Sequence, residues 1–349
     1  MSYIGIALAA LIAIVLLGTI YQAVGIRRDS RRYPPPGRLV QVGDSRVHLY
    51  ELGSGLPAVI LESGISASSL NWRWVQMEVA KFTRVCSCDR AGLGWSDLCD
   101  SPCTPSSLAA QLECLLRAAE VPGPYILVGH SFGGLIVQAF AHSYPQLTAG
   151  VVLVDPLDPA EWTPLSDEQS RIIRHGIALS RRGALAARLG VVRICLNLLL
   201  AGNRLLPRLA AKGWSGRASE VTDRIAGQVQ KMPQETWPWV AAHWTQPKCF
   251  EAMARHFECL ADSIREMANA SRIDAPAILL SGRLNEHPAD PRQYAQRVSP
   301  QTKFVEAERS GHWIQLDQPE LVVNSIQELV ERVRAIAAEK TTSSGRQPT

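Results

Sequence analysis

Short apolar runs recur along the chain at the length expected of buried β-strands. Most of these runs are rich in Val, Ile, Leu or Ala, a pattern typical of strands buried in a parallel sheet. A polar turn at Gly43-Asp44, between apolar positions of residues 38–52, predicts an opening β-hairpin. The runs that we interpret as strands are Ala58 to Leu61, Arg84 to Cys88, Tyr125 to Val128, Val151 to Val154, Ala277 to Leu280 and Lys303 to Val305.

Segments with helical periodicity lie between these runs. Examples are Ser107 to Glu120, Leu135 to Ser143 and the closing stretch Pro319 to Ala337. Strands that alternate with helices predict an α/β fold, in which helices cover a mostly parallel sheet. Between Asp158 and about Ser271 the strand pattern stops, and helical segments rich in Leu, Arg and Trp predict an inserted cap.

The N-terminal segment is the most apolar part of the chain. Tyr3 to Val24 carries no charged residue, and a helix of that length reaches roughly 30 Å, the thickness of the hydrocarbon core of a bilayer. We predict a membrane anchor over residues 1–26, with residues 3–24 in contact with the lipid bilayer. The alternative is a secretory signal peptide cleaved near Ala23-Val24-Gly25.

A basic and Pro-rich linker is predicted over residues 27–37. It carries four arginines, Arg27, Arg28, Arg31 and Arg32, and the positive-inside rule therefore predicts a cytoplasmic location for the rest of the chain. Tyr33 to Gly37 holds three consecutive prolines, which are typical of a stiff extended spacer.

Composition narrows the choice of partners and cofactors. A net charge of +4 and 6% aromatic residues do not make the basic, aromatic-rich surface that binds nucleic acid, so we expect none. The eight cysteines lack paired framework spacing, which indicates mostly reduced thiols. Cys249, His256 and Cys259 could share a helix face, but no fourth ligand is evident, and we predict no metal. The oligomeric state stays open.

A serine lies at a predicted junction between a strand and a helix. The sequence Gly129-His130-Ser131-Phe132-Gly133 closes one apolar run and opens the next. In that context the G-x-S-x-G pattern predicts a sharp turn that lifts the serine hydroxyl above the sheet, and the glycines let strand and helix approach closely. We predict Ser131 as a nucleophile, with an ordinary loop serine as the alternative.

A serine nucleophile needs a base, and the base needs an acid that orients it. Of the eight histidines, His312 is the best placed, because Ser310-Gly311-His312 follows a late strand and precedes the final helix. His130 adjoins the serine but is expected to point away from it. The other candidates that we weighed lie in predicted helices: His142, His175, His243 and His256.

Three segments together resemble the α/β-hydrolase superfamily: Gly129 to Gly133, Asp89 to Ser96 and Ser310 to His312. The resemblance runs from about residue 39 to residue 333 and implies an α/β-hydrolase fold. We assign the core to residues 38–157 and 272–337, the cap to 158–271 and a flexible tail to 338–349. Gly92 and Gly94 suggest a dinucleotide-binding turn, but Asp97 breaks that fingerprint, and we expect no cofactor.

The resemblance also implies where an oxyanion hole would form. Its donors would be the backbone N–H groups of Phe132, which follows the serine, and of Ile65, in the loop after the first parallel strand. Ser63 stands where many relatives carry histidine. The donors themselves belong to the backbone and do not depend on that side chain. Glu62 is interpreted as structural.

The acid is the open member of the predicted triad. The usual position in the superfamily follows Ala277 to Leu280, where this chain has Asn285 instead of aspartate. A second arrangement places the acid after the preceding strand, and Asp155 occupies that position. We favour Asp155, and a helix-capping role is its structural alternative. The other candidates are Glu286, Asp158 and Asp290.

A serine at this position argues against haloalkane dehalogenases and epoxide hydrolases of the superfamily, which use an aspartate nucleophile. We expect hydrolysis of a small or lipophilic carboxylic ester through an acyl-enzyme. The cap residues Trp237, Trp239 and Trp244 are expected to roof an apolar pocket. Three alternatives stay open: amide or peptide hydrolysis, acyl transfer to an acceptor other than water, and a catalytically silent receptor that binds a small ligand.

Overall fold

One sheet of eight strands organises the molecule. The computed structural model describes residues 2–200, 229, 231–285 and 288–344 of the chain. The strands lie in the order β1-β2-β4-β3-β5-β6-β7-β8. Their bounds are β1 Arg38–Val42, β2 Ser45–Leu52, β3 Ala58–Glu62, β4 Val85–Cys88, β5 Tyr125–His130, β6 Thr148–Val154, β7 Ala277–Gly282 and β8 Lys303–Ala307.

The sheet is parallel except at one edge. β1 and β2 form an antiparallel hairpin, and β2 pairs antiparallel with β4. All further neighbours, from β4 through β8, pair in parallel. The predicted hairpin and the predicted mostly parallel sheet are therefore confirmed.

Helices connect the strands and cover the sheet. The helices predicted near residues 107–120 and 135–143 lie within three residues of the expected positions, whereas the closing helix, predicted to end at Ala337 before a flexible tail, continues to Ser344. The helices are α1 Tyr3–Arg32, α2 Arg73–Val79, α3 Pro105–Ala118, α4 Phe132–Ser143, α5 Asp167–Arg188, α6 Val191–Leu200, α7 Trp237–Trp244, α8 Pro247–Glu258, α9 Leu260–Ala268, α10 Pro291–Val298, α11 Ile314–Asp317 and α12 Pro319–Ser344.

Helices cover both faces of the sheet. Because side chains alternate along each strand, neighbouring residues of one strand pack into apolar clusters on opposite faces. In β5, Tyr125 and Leu127 belong to the apolar cluster that contains residues of α3 and α4. Ile126 and Val128 belong to a second cluster, which contains residues of α2 and α12. This two-sided burial explains why the strands appear in the sequence as unbroken apolar runs.

The segment between β6 and β7 forms the cap. Its described elements, α5 to α9 and two short 3-10 turns, are helical. α5 begins with a capping box, in which Ser166 and Gln169 each bond the backbone of the other. Residues 201–228 of the cap lie outside the described part of the chain.

The first helix is longer than the predicted anchor. α1 continues through the basic residues assigned to the linker and ends at Arg32, because arginine is a good helix former and proline first occurs at Pro34. The linker is therefore helical in its first half. α1 is long and apolar enough to serve as a membrane anchor or a signal sequence.

Four histidines of the described residues are buried, and three of them, His130, His243 and His256, have a lowered pKa. Burial lowers the pKa of His130 and of His256 to about 3, and that of His243 to about 4. All three are therefore neutral near pH 7, whereas an unfolded histidine takes up a proton below about pH 6.5. Because the unfolded state binds more protons over that window, the free energy of unfolding falls as the pH falls from about 6.5 towards 3.

We expect acid to destabilise the protein in part through His256. Between about pH 6.5 and pH 5, His256 alone should cost about 2 kcal/mol, and His256→Gln should remove that share of the pH dependence. The measurement is the melting temperature in detergent at several pH values. His175→Gln, which changes an exposed histidine, is the matched control. A slope that is equal in wild type and His256→Gln would contradict the assignment.

Candidate active site

The predicted nucleophile sits in a strained turn between β5 and α4. Ser131 has φ 52° and ψ −121°, a conformation that non-glycine residues adopt only where the surrounding structure enforces it. The flanking glycines are required by close packing. A Cβ on Gly133 would lie 2.5 Å from the carbonyl oxygen of Glu62, and one on Gly129 would collide with the carbonyl of Gly133.

The strand register brings Ser131 and Asp155 to the same edge of the sheet. His130, the last residue of β5, pairs with Val154, the last residue of β6. The two residues that follow therefore leave the sheet side by side, and the Ser131 N–H donates to the carbonyl of Val154 at 3.1 Å. The carboxyl ends of parallel strands are where open α/β sheets hold their ligands.

Asp155 lies against His312. Its Oδ2 accepts a hydrogen bond from His312 Nδ1 at 2.7 Å, and the carboxylate is 1% exposed. Oδ1 accepts from the Gly282 N–H at 2.9 Å, and Asn285 Nδ2 donates to Oδ2 at 2.7 Å. Asn285, which departs from the pattern of the superfamily, thus orients the carboxylate of the predicted acid.

Two of the alternative acids have structural roles. Asp158 accepts from the Ala160 N–H at 2.9 Å and forms an ion pair with Arg297. Asp290 caps α10 by accepting from the Arg292 N–H at 2.9 Å. Glu286 lies outside the described residues. The structure thus joins Asp155 to His312 and gives Asp158 and Asp290 other partners.

His130 supports the loop that carries His312. Its Nε2–H donates to the backbone carbonyl of His312 at 2.8 Å, since a carbonyl oxygen can only accept. The two imidazole rings lie 4.7 Å apart, and His130 also stacks on Trp313 at 4.7 Å. The residue before the serine therefore positions the predicted base from behind, a contact that sequence reasoning did not find.

The loop after β3 packs directly against the serine turn. A Cβ on Gly64 would lie 3.3 Å from the Cβ of Ser131 and 3.0 Å from Nδ1 of His130, so the backbone near Ile65 adjoins the predicted nucleophile. Phe132 is the first residue of α4, and an N–H group in the first turn of a helix is free of intrahelical bonds. The two predicted oxyanion donors belong to these two segments.

Arg90 holds the loop after β3 in place. Its guanidinium donates to the carbonyl oxygens of Ser63 and Gly64, both at 2.6 Å, and forms a buried ion pair with Glu62. Its Nε donates to His256 Nε2 at 3.1 Å. Burial raises the pKa of Glu62, and Arg90 opposes that rise. Arg90 lies in the motif of residues 89–96, but its position in the sequence did not predict these contacts with the loop after β3.

Asp89 organises the rest of that motif. Its carboxylate accepts from the N–H groups of Ser69 and Trp95 and pairs with His48 at 2.8 Å. Burial alone would raise the pKa of Asp89, but the His48 charge and these hydrogen bonds lower it to about 2. The motif is therefore a polar core that ties β2, β4 and the cap side of the sheet together.

The predicted cap tryptophans pack beside the histidine loop. Trp237, Trp239 and Trp244 contact an apolar cluster that includes Trp313, the residue after His312. An adjoining recess is lined by Ser66, Asn71, His243 and Trp244, among others. Within the described residues, both ring nitrogens of His243 and Nδ2 of Asn71 are buried without a hydrogen-bond partner. This recess is therefore lined by more polar atoms than the apolar pocket that the sequence predicted.

The Cys249, His256 and Cys259 group is explained by packing. His256 donates from Nδ1 to the Ala252 carbonyl at 2.7 Å and accepts from Arg90 at Nε2. Both of its ring nitrogens are therefore occupied. Among the residues that the structure describes, no group of three metal-ligating side chains is placed to hold an ion.

Comparison with solved structures agrees with this architecture. A thermophilic esterase from Thermogutta terrifontis is 21% identical, with a TM-score of 0.56 over 85% of this chain and 98% of the esterase. The epoxide hydrolase CorEH is 17% identical, with a TM-score of 0.62 over 85% of this chain and 98% of the hydrolase. At these identities the likeness concerns the fold.

Sequence comparison identifies the family. A protein of Bacillus subtilis, YqjL, is 31% identical over 121 residues, which are 34% of this chain and 48% of YqjL. The match thus spans about half the length of that relative. The sequence profile of the Alpha/beta hydrolase family matches residues 59–325, a range that contains Ser131, Asp155 and His312. The chain is therefore a member of the alpha/beta hydrolase family.

Proposed function

We propose that the protein is a serine hydrolase that cleaves a carboxylic ester, with a small or lipophilic substrate, through an acyl-enzyme. The observation that carries the proposal is the 2.7 Å hydrogen bond between Asp155 and His312, on the sheet edge where Ser131 occupies a strained turn. A buried carboxylate on Nδ1 fixes the tautomer of a histidine, leaving Nε2 to accept a proton.

In the first half of the reaction, Ser131 Oγ attacks the ester carbonyl carbon and His312 Nε2 accepts the hydroxyl proton. The carbonyl oxygen becomes an oxyanion, which the N–H groups of Ile65 and Phe132 stabilise. Removal of one such donor typically costs about 3 to 4 kcal/mol of transition-state stabilisation. The C–O bond to the leaving group then breaks, and the alcohol departs with the proton from His312.

In the second half, water attacks the acyl-enzyme. His312 accepts a proton from the water, a second oxyanion forms, and its collapse returns the proton to Ser131 Oγ as the carboxylic acid leaves. Asp155 stays ionised and stabilises the imidazolium in both halves. The hydrogen bonds from Gly282 and Asn285 to its carboxylate support that ionised form.

We also propose that α1 anchors the protein in a membrane. None of the residues in its most apolar stretch is buried in the folded chain, which supports this proposal. Arg27, Arg28, Arg31 and Arg32 are exposed at its far end, and the positive-inside rule then favours a cytoplasmic catalytic domain. An anchored enzyme would meet lipophilic esters at the bilayer surface.

A fluorophosphonate probe tests the nucleophile. We expect the wild-type protein to be labelled covalently and Ser131→Ala to lose labelling, because only a serine activated by a base attacks the phosphorus. In-gel fluorescence measures the adduct. Ser143→Ala, at the other end of α4, is the matched control and should be labelled like wild type. Unlabelled wild type, or equal labelling of Ser131→Ala, would refute the serine-hydrolase proposal.

The acid is tested by paired amide substitutions. Asp155→Asn should lower kcat for a short p-nitrophenyl ester by about 10⁴-fold, because an amide holds the histidine in the wrong tautomer. Asp158→Asn lies in the same loop and preserves a capping side chain, so its kcat should match that of wild type. Loss of activity in Glu286→Gln, with Asp155→Asn active, would show that the acid was misassigned.

A further inference from the structure

The C-terminal part of α1 is seated tightly on the cap. A Cβ on Gly18 would lie 2.5 Å from the carbonyl oxygen of Leu189, in the turn between α5 and α6. One helical turn later, Tyr21 contacts Gly190, where an added Cβ would approach the ring to 2.9 Å. The helix and the cap thus meet backbone against backbone, which leaves no room for a flexible hinge between them.

A buried polar cluster fixes this joint. Gln22, 3% exposed, donates from Nε2 to the carbonyl of Thr245 at 2.6 Å and accepts from Arg193 Nε at 3.0 Å. Arg193, 6% exposed, also pairs with Asp29 at 2.5 Å and donates to Thr245 Oγ1 at 2.9 Å. One arginine of α6 therefore bonds two positions of α1 and the end of α7.

The length of α1 places this joint at the boundary of the bilayer. The 15 residues from Tyr3 to Leu17, which precede the first contact with the cap, extend about 22 Å. The hydrocarbon core needs about 30 Å, or roughly 20 residues, and would be filled only near Gln22. If Tyr3 lies at the outer boundary of the hydrocarbon core and α1 is upright, the turn at Leu189 and Gly190 lies several ångströms inside the opposite boundary.

The surface of the cap at that level is apolar. Leu185, Val191 and Ile194 are 59%, 47% and 46% exposed, and they lie in the segment of residues 185–194, which we call the cap corner. Arg188 is the exposed charge of the corner and pairs with Glu251, and a long arginine stem can keep its head at the headgroup level. Isolated exposed apolar residues are ordinary, but a patch next to an anchor marks a contact surface.

We propose that the cap corner inserts into the lipid bilayer beside α1, so that the cap rests in the membrane surface. The proposal rests on the membrane anchor proposed above. The cap corner would contact the acyl-chain region of the cytoplasmic leaflet. The insertion deepens the proposed function, because a cap held in the lipid would receive a lipophilic ester directly from the bilayer. The rigid joint of Gln22 and Arg193 sets the depth of insertion.

Photocrosslinking from the lipid phase tests this insertion. The full chain is reconstituted in phosphatidylcholine vesicles whose acyl chains carry a diazirine, irradiated, digested and analysed by peptide mass spectrometry. Adducts are expected in residues 3–20 and in the cap corner. They are not expected in α2, where Trp74 and Met77 are exposed to a similar degree, 46% and 45%, but have no anchor beside them.

Matched variants sharpen the test. Ile194→Lys should reduce adducts in the cap corner several-fold, because the lysine head is drawn to the headgroup level and shifts the cap corner outward together with α1, to which it is rigidly joined. Ile336→Lys, on α12 and 42% exposed in wild type, should leave them unchanged. Equal adducts in the corner of wild type and Ile194→Lys would overturn the proposal.

The pattern of adducts separates the proposals. Adducts in residues 3–20 with none in the corner would overturn the insertion and support the anchor. A lack of adducts in residues 3–20 would overturn both. Neither result depends on turnover, so the fluorophosphonate reaction of Ser131 in the same vesicles tests the hydrolase proposal separately.

Discussion

The in-register pairing of β5 with β6 is the constraint on which the site depends. His130 pairs with Val154, so Ser131 and Asp155 leave the sheet together, both with positive φ, 52° and 41°. A slip by one residue would move every side chain of a strand to the opposite face, where it would have to pack against residues of a different shape and size. The burial that fixes the register therefore also fixes the spacing between the predicted nucleophile and the predicted acid.

Features that depend on local pattern could be predicted from the sequence. The central parallel strands are apolar on both faces, and the serine turn combines two glycines with a strand before it and a helix after it. His312 and Asp155 could be nominated because each follows a predicted strand at one sheet edge. Their contact could not, since it joins residues 157 positions apart through loops that have no periodicity.

Polar contacts between distant segments explain what the sequence did not reveal. Asn285 stands where the superfamily usually has an acid, and its side chain donates a hydrogen bond to the predicted acid Asp155, 130 positions away. Arg90 looked like one residue of a family motif, but it bonds the carbonyls of Ser63 and Gly64. A polar side chain that is buried requires a hydrogen-bond partner. The residue type does not show which partner that is, because the fold decides it.

Gln22 carries the same argument to the first helix. By composition α1 fits both an anchor and a cleaved signal sequence. Cleavage after Gly25 would remove Gln22 and with it the hydrogen bonds to Arg193 Nε and to the Thr245 carbonyl. Asp29 would remain to pair with Arg193. A cleaved segment has no need of such contacts with the mature fold, so the buried glutamine supports the proposal that α1 is retained as an anchor.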